Sequence, residues 1–486
     1  MADILIIGGG VAGLSAGIYA QLCGHSAAIY EAHGVAGGNL TGWQRGDYHV
    51  DNCIHWLTGT NPATKTYEMW EELGVLGGVE VFTPESLYTC RLDGQSLSLY
   101  SDINKFEAEM LSLSSLDEKE IRSLFGAVRL LQSAMGIAGD KQDKGLSAKD
   151  ILKLPLLARY YGLSAKQLSM RFSHPLLRSF ICAFWGDEFG ALAMLSVFAN
   201  FCGGNGGLPR GGSKAAADRM TARFLSLGGR LYLGKRAEKI ELSGGRATSV
   251  SFSDGTRTEA DYIIVTADPA VVFGKILDLP MPKAFLRQYE STRAVRFSSF
   301  QCAISCRAGS LPFGGDCIFD TDGGERVIVR EFSHEPSFAP TGEIMLQTMT
   351  FCSERAAKSS IRLRRLNRAE YDEKKQKLGL SQICALEKEF PQLKGCFKLI
   401  DVWTPATYRR FVGSEIGSYM SFTFPARALP RKLDGHVSGA ENLLLATQWQ
   451  QSPGGLPIAA ERGRQAILEI CKKEHAYGRM PLALEV

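Results

Sequence analysis

The beginning of the chain alternates short apolar runs with stretches of small residues. Residues 3–7 (DILII) have the length and apolar character of a buried strand, and glycines follow directly. The next stretch carries small residues such as Ala16 and Ala20, which suit a helix packed closely on a sheet. A second apolar run at 27–30 ends on Glu31. This order predicts a βαβ unit.

Later apolar runs have the same strand-like length. Strands are predicted at 231–233, 237–240, 260–269, 297–305, 326–332, 344–351 and 442–446. A helix is predicted near 214–227, where two glycines end it, and another at about 458–471. The three runs between 297 and 351 follow one another closely, which favours an antiparallel sheet.

The glycines after the first strand fit the pattern G-x-G-x-x-G at Gly8, Gly10 and Gly13. Gly8 permits a tight turn, Gly10 lets the backbone approach a pyrophosphate, and Gly13 lets the helix pack against the strand. The N–H groups at the helix N-terminus favour a bound anion. Glu31 ends the second strand, where a carboxylate accepts hydrogen bonds from ribose hydroxyls. The pattern therefore predicts a dinucleotide site.

Composition narrows the class of protein. The 486 residues can form two cores, and the formal charge, 55 minus 51, is +4 and is spread along the chain. A nucleic-acid-binding protein normally carries a basic stripe, so nucleic acid is not an expected partner. The 12 cysteines lack paired or metal-binding spacing, since even the closest pair, Cys302 and Cys306, has no accompanying histidines. Free thiols and an N-terminus without a basic region or cleavage motif predict a cytoplasmic protein.

Further motifs carry a family resemblance. Residues 32–39 (AHGVAGGN) form a second glycine-rich turn, and the chain here resembles the FAD-dependent amine oxidase and phytoene desaturase superfamily. Residues 48–56 are similar to that family's next block, although Asn52-Cys53 replaces a glycine that often follows the aspartate. Residues 208–213, 260–269 and 404–408 also resemble family blocks, and the second of these is closest to phytoene desaturase-like enzymes, which include carotenoid desaturases, isomerases and retinol saturase.

The resemblance implies FAD as the cofactor. In the family, a glycine pair after the acid lies along the pyrophosphate, and a C-terminal helix points its N-terminus at the pyrimidine edge of the flavin, where it stabilises negative charge on the reduced ring. The cofactor-binding residues expected from this resemblance are Gly8, Gly10, Val11, Ala12, Gly13, Glu31, Ala32, Gly37, Gly38, Asn39, Ala237, Gln448, Gly454, Gly455, Leu456 and Pro457. No cysteine lies at 448–457, where covalent flavin enzymes of the family carry theirs, so the FAD is expected to be non-covalent. A second G-x-G-x-x-G is absent, which makes FAD the one nucleotide cofactor expected.

The predicted fold class is α/β. A Rossmann-like FAD-binding domain is formed by 1–98, 205–290 and 435–475, and it is interleaved with an α+β substrate domain built on an antiparallel sheet. The substrate domain comprises 99–204 and 291–434, and a tail follows at 476–486.

Candidate catalytic residues are the polar and aromatic side chains whose motifs flank the expected flavin ring: His55, Trp56, Tyr408 and Trp449. Two interpretations of Asp51 and His55 stay open, a functional one and one in which they are polar residues of a turn and of the core. No metal site is predicted.

The function implied by the resemblance is hydride transfer between FAD and a hydrophobic substrate, of polyene or isoprenoid type. Desaturation, saturation and isomerisation of C=C bonds all occur in the related families, and no local motif decides among them. An amine or amino-acid oxidase on the same scaffold is the first alternative. A prenylated-GTPase escort protein, which binds lipid without redox chemistry, is the second. The oligomeric state is not predicted.

Two segments bear on membrane contact. Apolar runs within 151–201 are broken by charged residues, and none reaches the roughly 18 residues that cross a bilayer. They fit either the core of the substrate domain or a pair of helices that touches a membrane surface. The basic run at 362–377 fits either a solvated helix face or attraction to anionic lipid.

Overall fold

The part of the chain that the computed structural model describes comprises residues 1–137, 151–152, 154–184, 186–291, 296–428 and 432–474, so the predicted tail at 476–486 lies outside it. The strands, in chain order, are β1 (Asp3–Ile7), β2 (Ser26–Tyr30), β3 (Gly42–Arg45), β4 (Tyr48–Asp51), β5 (Leu57–Thr58), β6 (Val81–Phe82), β7 (Ser86–Leu92), β8 (Gln95–Tyr100), β9 (Gly206–Pro209), β10 (Arg230–Tyr232), β11 (Ala237–Ser243), β12 (Arg246–Phe252), β13 (Arg257–Glu259), β14 (Tyr262–Val265), β15 (Phe297–Arg307), β16 (Asp316–Asp320), β17 (Arg326–Glu331), β18 (Glu343–Ser353), β19 (Lys398–Trp403), β20 (His436–Val437) and β21 (Ala440–Leu445). The α-helices are Val11–Leu22, Lys65–Glu72, Ile103–Leu113, Glu118–Met135, Leu154–Tyr161, Ala165–Ser169, Pro175–Ala183, Ala191–Cys202, Gly212–Ser226, Pro269–Val272, Lys283–Tyr289, Glu354–Leu366, Arg368–Glu389, Pro405–Val412 and Leu456–Lys473.

The N-terminal βαβ unit forms part of a six-stranded sheet in the order β10-β2-β1-β14-β21-β20. Its first five strands are parallel, and the short edge strand β20 is antiparallel. Side chains of β1 alternate between two cores, since Ile4 and Ile6 pack with the helix Val11–Leu22 while Leu5 and Ile7 pack on the opposite face. A parallel sheet covered on both faces explains why these strands are apolar throughout.

A seven-stranded sheet in the order β19-β15-β18-β17-β16-β7-β8 forms the second large layer. Most of its neighbours are antiparallel, as predicted, but β16 and β7 run parallel. The hairpin β7–β8 lies mostly within the stretch 1–98 that the sequence assigned to the FAD-binding domain, and its strand pairing places it in this other sheet instead. The hairpin belongs to this sheet because β7 forms backbone hydrogen bonds with β16, which is more than 200 residues later in the chain. A local sequence pattern does not reveal such long-range pairing. The mixed α/β class is confirmed, while the remaining domain boundaries stay predictions.

The apolar segments between 154 and 202 form a core of helices against β7 and β8. Phe180, Leu195 and Phe198 are fully buried there. This is the packing expected of a domain core, although the helix Ala191–Cys202 also turns part of one face toward a cavity. No helix within the described residues combines the length and apolar character needed to cross a membrane.

The basic run at 362–377 spans the helices Glu354–Leu366 and Arg368–Glu389. Its charges are largely matched along the second helix by pairs one turn apart, such as Lys374 with Glu370 and Lys377 with Glu373. The side chains of these pairs are exposed, which is the arrangement of a solvated helix face.

Candidate functional site

A cavity of about 550 Å³ lies where the carboxyl ends of β1, β2 and β14 meet the seven-stranded sheet and the helical core. Its wall includes many of the expected cofactor-binding residues, namely Gly8, Gly10, Val11, Ala12, Glu31, Ala32, Gly37, Gly38, Asn39, Ala237, Gln448, Gly454, Gly455, Leu456 and Pro457. Ligands of open parallel sheets bind at this edge, outside the carboxyl ends of the strands.

The first glycine turn approaches its neighbours too closely for a side chain. Gly13 is not part of the cavity wall, and a Cβ on it would overlap the Gly8 carbonyl oxygen, so its role is to seat the helix against the strand. Gly8 has φ +104°, in the region that favours glycine. No side chain caps the helix Val11–Leu22 at Gly10, which leaves its first N–H groups for an anion.

Glu31 closes the same turn from the second strand. Its Oε2 accepts a hydrogen bond from the Gly9 N–H at 2.7 Å, and its Oε1 accepts one from the His33 N–H at 2.9 Å. The side chain is buried and lines the cavity. A carboxylate oxygen can accept a second hydrogen bond, so both oxygens keep capacity for ribose hydroxyls.

The C-terminal segment provides a second helix N-terminus at the cavity. Gln448 Oε1 accepts a hydrogen bond from the Gly455 N–H at 3.0 Å and so holds the turn before the helix Leu456–Lys473. A Cβ on Gly455 would meet no atom within 4 Å, and no side chain caps the helix there. Pro457 stands in the first turn, as expected. The two uncapped helix ends and the glycine surfaces suit a dinucleotide with a flat ring system.

The candidate catalytic residues divide into two groups. His55, Trp56 and Trp449 line the cavity. Tyr408 does not line it, since its hydroxyl donates to Asn52 Oδ1 at 2.9 Å inside a buried polar network with Gln301 and Trp403, and its catalytic role stays a prediction. Tyr408 packs there because the helix Pro405–Val412 turns it toward the sheet, where its hydroxyl supports the turn around Asn52.

His55 stands beside two buried charged groups that the sequence did not indicate. Its Nδ1 is 3.6 Å from Asp316 Oδ2, and Arg330 donates a long hydrogen bond of 3.5 Å to the His55 carbonyl oxygen. Burial lowers the pKa of His55, and the charge of Arg330 lowers it further, whereas Asp316 and the more distant Asp51 oppose the shift. This environment favours the neutral imidazole. Asp51 itself accepts from the N–H and hydroxyl of Ser213, both at 2.6 Å, and anchors the loop that carries His55.

One end of the cavity is apolar. We call it the apolar lobe, and its wall consists of Trp56, Phe184, Phe189, Ala193, Val197, Met349 and Tyr419. Most of these residues come from the helical core between 154 and 202. The sequence predicted the apolar character of that core but not which side chains reach the cavity. Their periodic spacing at 193 and 197 on one helix face is the one signal that points to a shared surface.

Comparison with known proteins agrees with this geometry. The sequence model of the family described as flavin containing amine oxidoreductase matches residues 11–362. Prolycopene isomerase 1 of an Oncidium hybrid cultivar is 25% identical over 448 residues, which cover 86% of this chain and 75% of the relative. A 1-hydroxycarotenoid 3,4-desaturase of a Flavobacterium is 22% identical over 320 residues, which cover 61% and 63%.

Solved structures share the fold. An oxidoreductase from Methanosarcina mazei superposes with a TM-score of 0.63 at 17% identity, covering 96% of this chain and 100% of that one. Cyclohexylamine oxidase from Brevibacterium oxydans gives 0.57 at 16% identity, covering 98% and 99%. At these identities the likeness shows the fold alone.

Proposed function

The chain belongs to the flavin-containing amine oxidoreductase family, and from this premise we propose that it transfers hydride between FAD and a hydrophobic polyene or isoprenoid substrate. The reaction adds, removes or moves C=C bonds. When bound, the flavin supplies the acceptor or donor of hydride. The protein binds both partners, orients them and excludes water.

The apolar lobe is the observation that carries this proposal. It adjoins the dinucleotide end of the cavity, and its side chains are aromatic or aliphatic except at the tyrosine hydroxyl. The polar residues that line the cavity on the same segments, His55 and Asn200, carry no negative charge, so neither offers a counter-charge to a cationic substrate. Burial of a polyene against such a wall is favoured by about 25 cal/mol per Å² of apolar surface.

The amine oxidase alternative needs aromatic faces that receive an amine. Trp449 is buried, and its ring is stacked on Tyr289 with centroids 5.6 Å apart and meets the edge of Phe422 at 5.2 Å. These neighbours therefore cover much of the ring of Trp449, which is the one tryptophan in the C-terminal motif. This arrangement favours the polyene substrate over an amine.

We propose that the FAD is held without a covalent bond. Cys53 lines the cavity, and burial raises the pKa of its thiol to about 12. A protonated thiol is a poor nucleophile, which supports non-covalent binding. Denaturation of the purified protein should therefore release the flavin into the supernatant.

The proposal is tested by the visible spectrum of the flavin-loaded protein under anaerobic conditions. We expect the absorption bands of the oxidised flavin to bleach on addition of a polyene or other isoprenoid. The bands should stay unchanged with a panel of primary amines. An enzyme that reduces or isomerises its substrate should instead convert the polyene when its flavin has been reduced chemically. Chromatography of the extracted polyene measures this conversion. Bleaching by amines alone would overturn the proposal in favour of the oxidase alternative.

A variant localises the substrate. Ala193→Trp fills the apolar lobe and should abolish the response to the polyene while the flavin stays bound, because Ala193 lies on the lobe and away from the glycine turns. Ser196→Trp on the same helix is the matched control, since Ser196 is not part of the cavity wall. Equal responses from both variants would place the substrate elsewhere.

We also propose peripheral contact with a membrane surface. Leu116, Leu152 and Met170 are 85%, 81% and 68% exposed. Leu116 precedes the helix that carries Glu120. The Glu120 carboxylate pairs with Arg159, which follows Leu152 in the chain, and with Arg171, which directly follows Met170. The three apolar side chains therefore lie on segments that converge, and two arginines flank them.

Vesicle co-sedimentation tests this contact. Binding to neutral and anionic vesicles should persist at moderate salt, because apolar burial is not screened by ions. The double variant Leu116→Asp with Met170→Asp should lose binding, whereas Leu366→Asp, at an exposed leucine of the basic helices, should keep it. Binding that salt alone abolishes would contradict apolar insertion.

A further inference from the structure

Two charged pairs stand on one face of the seven-stranded sheet. The register of β16 and β17 pairs Asp320 with Arg326 and Cys317 with Val329, which places Asp316 opposite Arg330. Because side chains alternate along a strand, both acid–arginine pairs point to the same face, the one covered by the helical core.

The two acid–arginine pairs differ in the distances between their charged atoms and in their hydrogen bonds. Asp320 and Arg326 form a bidentate pair at 2.8 and 2.9 Å, and both are partly exposed. Asp316 and Arg330 are 7% and 3% exposed, yet their nearest charged atoms are 3.9 Å apart. Asp316 Oδ2 is buried and has no hydrogen-bond partner within the described residues, and the same is true of His55 Nδ1. These two orphaned atoms face each other at 3.6 Å.

Such an arrangement is costly for stability alone. A buried carboxylate oxygen that lacks a hydrogen bond loses its hydration without full compensation, and native proteins keep few such atoms. The better-made pair on the same two strands shows that this sheet accommodates an ideal ion pair. The loose pair sits where the cavity wall carries an imidazole.

We propose that Asp316 and Arg330 position His55 as the proton-transferring group of this site, a role that rests on the function proposed above. When the 3.6 Å separation between these two atoms tightens in the loaded enzyme, Asp316 accepts from Nδ1–H and selects the tautomer in which Nε2 carries the lone pair. With Nδ1 turned to Asp316, Nε2 is the nitrogen left for the cavity that His55 lines. Arg330 holds the Asp316 carboxylate and the His55 carbonyl from the neighbouring strand.

The step balances in the desaturation direction. When bound, FAD would supply the two-electron oxidant, which would take one substrate hydrogen together with both electrons of its C–H bond. The neighbouring C–H bond breaks, its proton goes to His55 Nε2, and its electron pair forms the new C=C bond. The imidazolium then faces the Asp316 carboxylate, which stabilises it. Saturation is the reverse.

Removal of the acidic and of the basic neighbour should shift the pKa of His55 in opposite directions. The groups that face it are Asp316 from β16, Arg330 from β17 and Asp51 from β4. Removing Asp316 takes away a group that raises the pKa of His55, so this pKa falls. Removing the charge of Arg330 takes away a group that lowers it, so the pKa rises. Since proton uptake needs the neutral imidazole, the acidic limb of the rate profile should move to lower pH in Asp316→Asn and to higher pH in Arg330→Gln.

The test uses the holoenzyme with two readouts. Histidine-labelled protein is titrated by NMR, and the His55 signal is identified by its loss in His55→Gln, which is feasible with 8 histidines in the chain. The pH dependence of turnover is measured in parallel, where His55→Gln should lose about 100-fold or more. Asp320→Asn, on the same strands and sheet face, is the matched control and should change neither readout, and Arg330→Lys should restore the wild-type titration.

Opposite shifts in the two charge-removing variants, with the control unchanged, support the proposal. A His55 titration that is identical in wild type and in folded Asp316→Asn overturns the positioning role whatever the substrate is. Full turnover by His55→Gln overturns the proton-transfer role. If wild type fails to act on polyenes, the proposed function is wrong, and the NMR titration alone still decides whether Asp316 positions His55.

Discussion

Replacement of Gly13 by alanine is expected to give a protein that retains little flavin and unfolds more readily. A Cβ at this position would overlap the backbone carbonyl oxygen of Gly8, and backbone cannot move aside as a flexible side chain can. Relief requires the helix Val11–Leu22 to shift away from β1, which also moves its N-terminus from the pyrophosphate position. Overpacking of a buried contact costs about 1–3 kcal/mol, and we expect Gly13→Ala at or above the upper end. Urea unfolding of the apoprotein measures the stability, and the absorbance ratio of flavin to protein measures retention.

Gly34→Ala is the matched control for this change. Gly34 lies in the turn after Glu31, and a Cβ built on it meets no atom within 4 Å. The control should keep both its flavin and its stability. A Gly13→Ala protein that matches the control in both measurements would contradict the close helix–strand contact.

Glu31→Gln is expected to weaken FAD binding by about 1.5–3 kcal/mol, which is roughly 10- to 150-fold in the dissociation constant. The carboxylate accepts two backbone N–H groups, from Gly9 and His33, and holds the turn that follows the first strand. A glutamine can accept with only one of its two terminal groups, and its NH₂ would face an N–H donor. The loss of charge also weakens the hydrogen bonds expected from ribose hydroxyls. Fluorescence titration of the apoprotein with FAD measures the change.

Glu238→Gln is the control for the removal of one negative charge, because Glu238 is exposed beside Ala237 at the same end of the cavity. Its FAD affinity should match wild type. Unchanged affinity in Glu31→Gln would remove Glu31 from the cofactor site.

Local pattern was sufficient for the nucleotide-binding half of this protein. The strand 3–7, the glycine turn, the helix and the strand ending at Glu31 are contiguous, so the periodicity and the glycine spacing contain all the information needed to predict them. The C-terminal glycine turn and its helix are equally local, and the observed helix Leu456–Lys473 encloses the predicted one. The fold class, the family and the flavin chemistry that follow from these motifs are confirmed, while the individual cofactor-binding roles stay predictions.

The sequence by itself therefore determined the glycine turns and helix ends at which a dinucleotide is predicted to bind, because Gly8 has a positive φ and Gly13 has no room for a side chain. Only the tertiary structure decided what surrounds the reacting part of the site. His55, Asp316 and Arg330 come together across more than 270 positions of the chain because the strands β16 and β17 align in register over the loop of His55. Tyr408, whose motif resembled a site residue, is turned away into a buried hydrogen-bond network. Strand pairing between distant segments decides such neighbours, and no local periodicity encodes it.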